Sequence, residues 1–420
     1  MLSGIIGTAG TAVKTQGNNI SVGSGTHTAI SSGLRNISFG EDAGNAVDSG
    51  SDNVYLGHNA AKMKTGGGSN VIIGSLAFDA ADSGEGNNVV IGKGAAGAVN
   101  ASGSDDNVVI GNMALSTAAG GQNVKRNIII GSQAVQADVA VGTSRDGDIF
   151  AIGYRSLNIL TTGLRNMAIG YETMKEHTTG IDNMAIGYGA MDGTQAGGTQ
   201  STSAGSDNNI FIGVASGGGT WADSESNQNV VIGNYTMTGA LSAASNNTVI
   251  GYKAGEGNTH GDANVYIGSL AGDESDDGTY NVAVGYGALS ANCQHNNVGI
   301  GYLAGNANAN ASNNTAIGSE SLTTMTTGHS NIAIGYQCMH DTDAGNDSKD
   351  SDWNVAIGRD SMGGVWLDAK SEYNTAVGGN SLPAALNGAN NNACYGYSSG
   401  LSVTEGDNNT LLGAYSGENI

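Results

Sequence analysis

The side chains best suited to chemistry in this 420-residue chain are seven histidines, three cysteines and 37 acidic residues. The histidines are scattered between short apolar segments and lack the HxxxH or HExxH spacing of a metal site, so we interpret them as surface turn residues. Cys293, Cys338 and Cys394 form neither a CxxC pair nor an even disulfide set. We therefore predict that the protein is not an enzyme.

The acidic residues concentrate in two segments. One holds Asp273, Glu274, Asp276 and Asp277, and the other spans 341–352. Carboxylate oxygens of this kind bind Ca²⁺. The GGxGxDx pattern of calcium-binding β-rolls is absent, however, so we interpret both segments as solvated acid and predict no cofactor, with Ca²⁺ as the alternative.

The charge balance limits the possible partners. Fifteen basic residues against 37 acidic ones give a net charge of −22. Nucleic acids and anionic membrane surfaces both require basic side chains, so neither is an expected partner. No apolar run approaches the roughly 20 residues that a membrane helix needs, and we predict no membrane insertion.

A repeat runs from Gly7 to Gly413. Its unit reads Asn, then Val, Ile or Thr, then any residue, then Ile or Val, then a closing glycine. It occurs 23 times, and ten of the 22 intervals between closing glycines are 17 residues long. The asparagine is absent only at Ser3 and Ile149. We predict one continuous repeat array over residues 1–420.

Each unit has the composition of a strand followed by a corner. Short β-branched runs bounded by Asn and Gly are typical of strands, and 17 residues leave no room for a helical pattern. The predicted fold class is all-β, a parallel β-solenoid or β-roll of about 23 short coils. The glycine fits a corner with positive φ, and the asparagine fits an internal hydrogen-bonded ladder.

The strand is apolar on both faces, although a strand with one wet face would alternate apolar with polar residues. A thin coil has one interior. We therefore expect the residue two before the glycine, often alanine, to face another chain of a homotrimeric fibre. The interface candidates are Ala168, Ala185, Ala283, Ala316, Ala333 and Ala356.

Insertions interrupt the period at about 135–148, 191–208, 340–353 and 362–373. Loops that leave a solenoid on one side often form its binding face. These carry amides, acids and tryptophans, which suit stacking against sugar rings and hydrogen bonding to hydroxyls. The receptor-binding candidates are Gln195, Thr199, Trp221, Asp343, Asp347, Trp353 and Trp366.

The runs NMAIGYETM, NVAVGYGALSANCQHNN and NTAIGSESLTTMTTGHSN resemble the NTAIG-type repeats of bacteriophage tail-fibre and related virion-fibre proteins. More distantly, they resemble the head repeats of trimeric autotransporter adhesins, in which a shorter repeat forms a trimeric left-handed parallel β-roll. The resemblance covers essentially the whole chain. It implies a fibre that is part of a virion or lies at a cell surface.

The expected function is that of a structural and adhesive fibre, a tail fibre or virion appendage shaft. It would display loops to a host-cell surface receptor, either a glycan or a protein. Expected partners are two further copies of the chain and other fibre or baseplate subunits. The alternatives are a bacterial cell-surface adhesin head domain and a purely structural, self-assembling extracellular filament.

Overall fold

The structure, a computed structural model, describes residues 16–81, 84–100, 103–117, 123–136, 145–146, 149–194, 205–222, 224–342 and 350–418. The chain divides into two compact units, Met1–Asn209 and Ile210–Ile420. Each unit is a parallel β-solenoid in which successive strands pair at a period of about 17 residues. The predicted fold class is confirmed.

The first unit begins with a 3-10 turn, Gln16–Asn18. Ten of its strands stack in chain order, and the two-residue strands β7 and β9 pair separately. Ile37 of β2, for example, lies between Ile20 and Val54 of its neighbours. The strands of the first unit are β1 (Ile20–Val22), β2 (Ile37–Phe39), β3 (Val54–Leu56), β4 (Val71–Ile73), β5 (Val89–Ile91), β6 (Val108–Ile110), β7 (Val124–Lys125), β8 (Ile128–Ile130), β9 (Arg145–Asp146), β10 (Ile149–Ile152), β11 (Asn166–Ile169) and β12 (Met184–Ile186).

The second unit stacks twelve strands in the same parallel way, each paired with the next along the chain. Its strands are β13 (Ile210–Ile212), β14 (Val230–Ile232), β15 (Thr248–Ile250), β16 (Val265–Ile267), β17 (Val282–Val284), β18 (Val298–Ile300), β19 (Thr315–Ile317), β20 (Ile332–Ile334), β21 (Val355–Ile357), β22 (Thr375–Val377), β23 (Ala393–Tyr395) and β24 (Thr410–Leu412).

The residues two before each closing glycine, which we call the inner row, point into the coil. The six alanines predicted to form an interface belong to this row, and each of them is fully buried within the single chain. Their assignment to a surface between chains is therefore wrong. The residues one and three before the glycine, which we call the outer rows, face outward and keep part of their surface exposed.

Alanine is common in the inner row because of what lies opposite. The residue four after each closing glycine forms an opposing row, and the two rows share one narrow interior. Where the inner row holds Phe211 or Tyr266, the opposing residue is Gly217 or Gly272, and a Cβ at either glycine would overlap the ring. Where the inner row holds alanine, the opposing residue is large and buried, as in Met174, Met191, Leu289, Leu322, Met339 and Met362. Complementary volumes therefore keep each layer filled.

The asparagines four residues before the closing glycines form the predicted ladder. Asn314 Oδ1 accepts hydrogen bonds from the backbone N–H of Asn331 at 2.8 Å and from Asn331 Nδ2 at 3.3 Å. Asn314 Nδ2 donates to the carbonyl oxygen of Gly328 at 2.7 Å. The bond from the backbone N–H to Oδ1 recurs from coil to coil through the second unit, from Asn229 to Asn409. The ladder satisfies polar groups that lie inside an otherwise apolar coil.

The closing glycines form a second column along the stack. Gly318 has φ of +131°, and a Cβ there would lie 2.4 Å from the carbonyl oxygen of Gly335 in the next coil. Backbone therefore packs directly on backbone at this corner, and only glycine fits. The predicted role of the repeat glycine is confirmed.

The asparagine ladder yields the first prediction. Asn314→Ala should destabilise the second unit by about 2–4 kcal/mol, because buried N–H and C=O groups of two coils lose their partners. Tryptophan fluorescence during urea unfolding reports this unit, since all three tryptophans lie in it. Asn313→Gly is the control, because Asn313 lies outside the ladder and has φ of +62°. Equal effects of the two substitutions would contradict a special role for the ladder.

Candidate functional site

The broadest exposed feature of each unit is the outward face of the sheet. Several isoleucines of the outer rows keep more than a third of their surface exposed, as in Ile232 (37%), Ile267 (38%) and Ile300 (38%). None of the residues at these two positions in the 22 stacked strands is charged, although 12% of the chain is charged. The face is thus a continuous apolar stripe in each unit, and stripes of this kind mark interaction surfaces.

Tyrosines that directly follow the closing glycine add an aromatic column. Tyr171 stacks on Tyr154 and on Tyr188, with ring centroids 5.1 Å apart in both pairs. Tyr286 and Tyr302 stack in the second unit at 5.7 Å. Tyr188 is more than half exposed. The rings stabilise one another between coils while presenting their edges to solvent.

A second aromatic feature lies at the edge of the sheet, just before the asparagine ladder. Trp353 and Tyr373 occupy the same repeat position in neighbouring coils, and their rings are nearly parallel with centroids 6.4 Å apart. Both side chains are more than half exposed. The residue at this position in the preceding coil is Ser330, whose small side chain leaves space beside the indole. Trp353 thus retains the exposure expected of a receptor-binding residue.

Two other predicted receptor contacts are core residues. Trp221 and Trp366 are fully buried, and each indole Nε1 donates to a carbonyl oxygen four residues earlier, of Gly217 at 2.8 Å and of Met362 at 3.3 Å. The prediction that they stack on a ligand is wrong. Both lie eight residues after the closing glycine of a 20-residue interval. That shared position is the sequence signal that would have identified a structural role.

The remaining predicted receptor contacts are Gln195, Thr199, Asp343 and Asp347, and they lie outside the described residues. Their assignment stays a prediction. The insertion at 362–373 is fully described, and beside the buried Trp366 it exposes Val365 and Leu367.

Many loop acids and amides have a structural task that the sequence analysis missed. Six residues before the closing glycine, a side chain accepts a hydrogen bond from the backbone N–H of the equivalent residue in the preceding coil. Asp407 Oδ1 accepts from Asn390, and Asn390 Oδ1 from Glu372. His329 Nδ1 accepts from Ser312 in the same way. Acidic residues at this position thus cap the sheet edge rather than forming a ligand site.

One group within the described residues has the spacing of metal ligands. His260, Asp276 and Asp277 place one ligand atom each within 4.8 Å of the others. His260 Nδ1 lies 3.2 Å from Asp277 Oδ1, and all three side chains are at least partly exposed. The histidine comes from the coil before the acids, which is why sequence spacing did not reveal the group.

Two histidines contradict their interpretation as surface turn residues. His27 is buried between Ser21 Oγ, 2.8 Å from Nδ1, and Ser38 Oγ, 2.7 Å from Nε2. His177 is fully buried beside Asn183 Nδ2, 3.2 Å from its Nε2. Burial lowers the pKa of each imidazole to about 4, so both are neutral near pH 7.

The three cysteines are free and buried, and burial raises the pKa of the Cys293 and Cys394 thiols to about 11 and of the Cys338 thiol to about 12. Cys394 sits in the inner row and Cys338 at the small corner, three residues after its closing glycine. Both act as small packing residues, as predicted from their repeat positions.

Comparison of the chain with protein-family models, curated proteins and solved structures gave no match. In the described part of the chain, no helix has the length and apolar character needed to cross a bilayer.

The buried histidines yield a prediction of acid sensitivity. The unfolded chain protonates His177 near its ordinary pKa of 6.5, whereas the folded chain does so only near 4. Between these values the unfolded state binds more protons, so stability falls as the pH falls. His177→Met removes this proton, and Met325 shows that methionine fits the same repeat position, accepting from Asn331 Nδ2 at 3.1 Å.

Between pH 7 and pH 4.5, the first unit should therefore lose about 2–3 kcal/mol more of its unfolding free energy in the wild-type chain than in His177→Met. His27 and Asp192 titrate in both chains, so their contributions cancel in the difference. Hydrogen exchange of first-unit peptides in urea measures the effect. Parallel pH profiles in the two chains would disprove the assignment.

Proposed function

We propose that the chain forms the shaft of a structural and adhesive fibre, as in a phage tail fibre or virion appendage. The observation that carries the proposal is the outward sheet face, where two apolar rows continue through each stack without one charged residue. The protein has a net charge of −22, yet none of the residues of these two rows is charged. The absence of charge suits burial against another protein surface.

A second copy of the chain is the partner that fits this face best. Its own face repeats at the same strand spacing, so rows of side chains meet in register along the whole contact. Twelve strands about 4.8 Å apart and three residues wide cover roughly 600 Å² in projection. Stable interfaces bury about 800 Å² per partner. The ten stacked strands of the first unit present a face of comparable area.

We favour a homotrimer located in a virion or at a cell surface, with other fibre or baseplate subunits as further partners. The bacterial adhesin head domain and the purely structural extracellular filament remain the alternatives, because self-assembly through this face serves all three. The proposed role is non-catalytic.

The test of self-assembly is the native mass of charge variants. Ile267→Glu with Ile300→Glu should raise the dissociation constant of the assembly at least 100-fold, because each carboxylate would be buried unpaired at the interface. Light scattering measures the mass, and circular dichroism checks that the half-exposed sites tolerate glutamate. Thr404→Glu, on an exposed turn outside the face, is the control. A monomeric wild-type chain at micromolar concentration would refute the proposal.

The adhesive part of the proposal is supported by Trp353 and Tyr373. Their stacked, exposed rings present an aromatic surface. Aromatic faces bind the C–H faces of sugars. We therefore propose a glycan as the receptor.

Trp353→Asn should reduce binding of the assembled protein to a responsive glycan at least tenfold. Asparagine tolerates the positive φ at this site, and Asn313 and Asn391 occupy the same repeat position. A glycan array followed by calorimetry measures the loss. Tyr280→Asn is the matched control, at the same repeat position but away from the aromatic pair. Unchanged binding in the Trp353 variant would exclude this pair as the receptor site, and absence of glycan binding by the wild-type assembly would favour the purely structural filament.

A further inference from the structure

The interior of the first unit contains one pair of opposite charges that the repeat does not explain. Lys64 and Glu85 are both fully buried. Lys64 Nζ lies 2.7 Å from Glu85 Oε2 and 2.8 Å from the carbonyl oxygen of Glu85. The phenyl ring of Phe78 has its centroid 5.8 Å from the same nitrogen.

Both residues depart from their repeat positions, and the two departures meet in space. Seven residues after the closing glycine, where Lys64 stands, other coils of the unit carry the buried apolar residues Ile30, Val47, Ala81, Val99 and Leu160. Seven residues before the closing glycine, where Glu85 stands, other coils carry Gly33, Gly50, Gly67, Ser104 and Val124. A charged residue at either position alone would be buried without a partner.

The surrounding backbone is shaped to hold the pair. Gly67 has φ of +78°, and a Cβ there would overlap the carbonyl oxygen of Glu85 and lie 2.8 Å from Lys64 Nζ. Asn70 of the asparagine ladder donates from Nδ2 to the same carbonyl oxygen at 3.0 Å. The hydrogen bond from Asn70 therefore holds the backbone of Glu85 in place, and the ammonium group of Lys64 contacts the same carbonyl oxygen.

An ion pair in such a place is costly, because desolvation of two charges often exceeds their attraction. Condensation of the two side chains begins with transfer of a proton from Lys64 Nζ to the Glu85 carboxylate, and it removes both charges from the apolar interior. Lys64 Nζ lies 2.7 Å from Glu85 Oε2, one bond away from the carboxyl carbon that it would attack. Because folding already holds the two reacting groups together, the reaction avoids a large part of the entropy cost of a bimolecular reaction.

We propose that Lys64 Nζ and Glu85 Cδ are joined in the mature protein by an amide bond that forms spontaneously after folding. The amine attacks Cδ, the N–C bond forms, and the tetrahedral intermediate loses its hydroxyl group. One proton from the nitrogen leaves with that hydroxyl group as water. The reaction is a condensation, so no oxidant or reductant takes part.

Tyr55 supplies a donor for this reaction. Its side chain is fully buried, and its hydroxyl has no hydrogen-bond partner among the described residues. Burial raises the pKa of this hydroxyl, and the charge of Glu85 raises it further, so the hydroxyl stays neutral. In the proposed reaction it acts as the donor that stabilises the charge developing on the oxygen of the tetrahedral intermediate.

The bond would connect residues 21 positions apart and tie neighbouring coils together. The cysteines of the chain are free, so this amide would do what a disulfide does elsewhere, and reduction would not break it.

Mass spectrometry of the folded full chain tests the proposal. After unfolding in denaturant, the intact mass should be lower than the sequence mass by one water. Proteolysis should yield a branched peptide joining Lys64 to Glu85. Asparaginyl succinimides also change the mass, but they produce no branched peptide. Chain recovered unfolded from inclusion bodies in denaturant should have the full mass and lose one water on refolding.

Two controls make the outcome unambiguous. Lys62, two residues from Lys64, pairs with Asp42 at 3.0 Å but in partial exposure, so its peptides should remain linear. Lys64→Met combined with Glu85→Leu fills the same space with apolar groups and should fold with an unshifted mass. The branched peptide in the wild-type chain alone would support the proposal. Linear Lys64 and Glu85 peptides from the folded wild-type chain would overturn it.

Discussion

The fold depends on one interaction, the hydrogen bond that a buried asparagine side chain makes to the backbone of its counterpart in the next coil. Asn297 Oδ1 accepts from the backbone N–H of Asn314, and Asn314 Oδ1 accepts from that of Asn331, inside an otherwise apolar coil. Because each carboxamide both accepts and donates along the stack, a coil shifted by one residue would leave buried polar groups unpaired. The ladder therefore fixes the register, and the register aligns every other column.

Sequence reasoning succeeded where the same residue type recurs at a fixed position. The ladder, the glycine corner and the small corner residues such as Cys338 followed from periodicity, because stacking places identical positions on top of one another. It failed on which face of the strand points inward. We took the larger Val and Ile rows as the interior, whereas Ala316 faces inward because Leu322 fills the space opposite. Volume matching across a coil joins residues at two different repeat positions, so the residues at one position alone do not reveal it.

The candidate site shows the same division. The exposure of Trp353 was anticipated from its place in an insertion, yet Trp221 in another insertion folds back into the core. Composition indicates that a loop is long and polar, but the direction of a large side chain depends on whether a cavity is available nearby. The cap that Asp407 provides to Asn390 was also missed, since it joins a side chain to backbone rather than to a motif partner.

The column of glycines fixes the spacing between successive coils within each unit. Where Gly318 stacks on Gly335, backbone meets backbone and the distance between coils is fixed by atoms that no side chain can alter. Duplication or deletion of one coil would then change the length of a unit by a constant step of about 4.8 Å, with the register of its neighbours preserved. The length of a unit can therefore evolve by gain or loss of whole repeats, while the loops between the strands remain free to change in sequence.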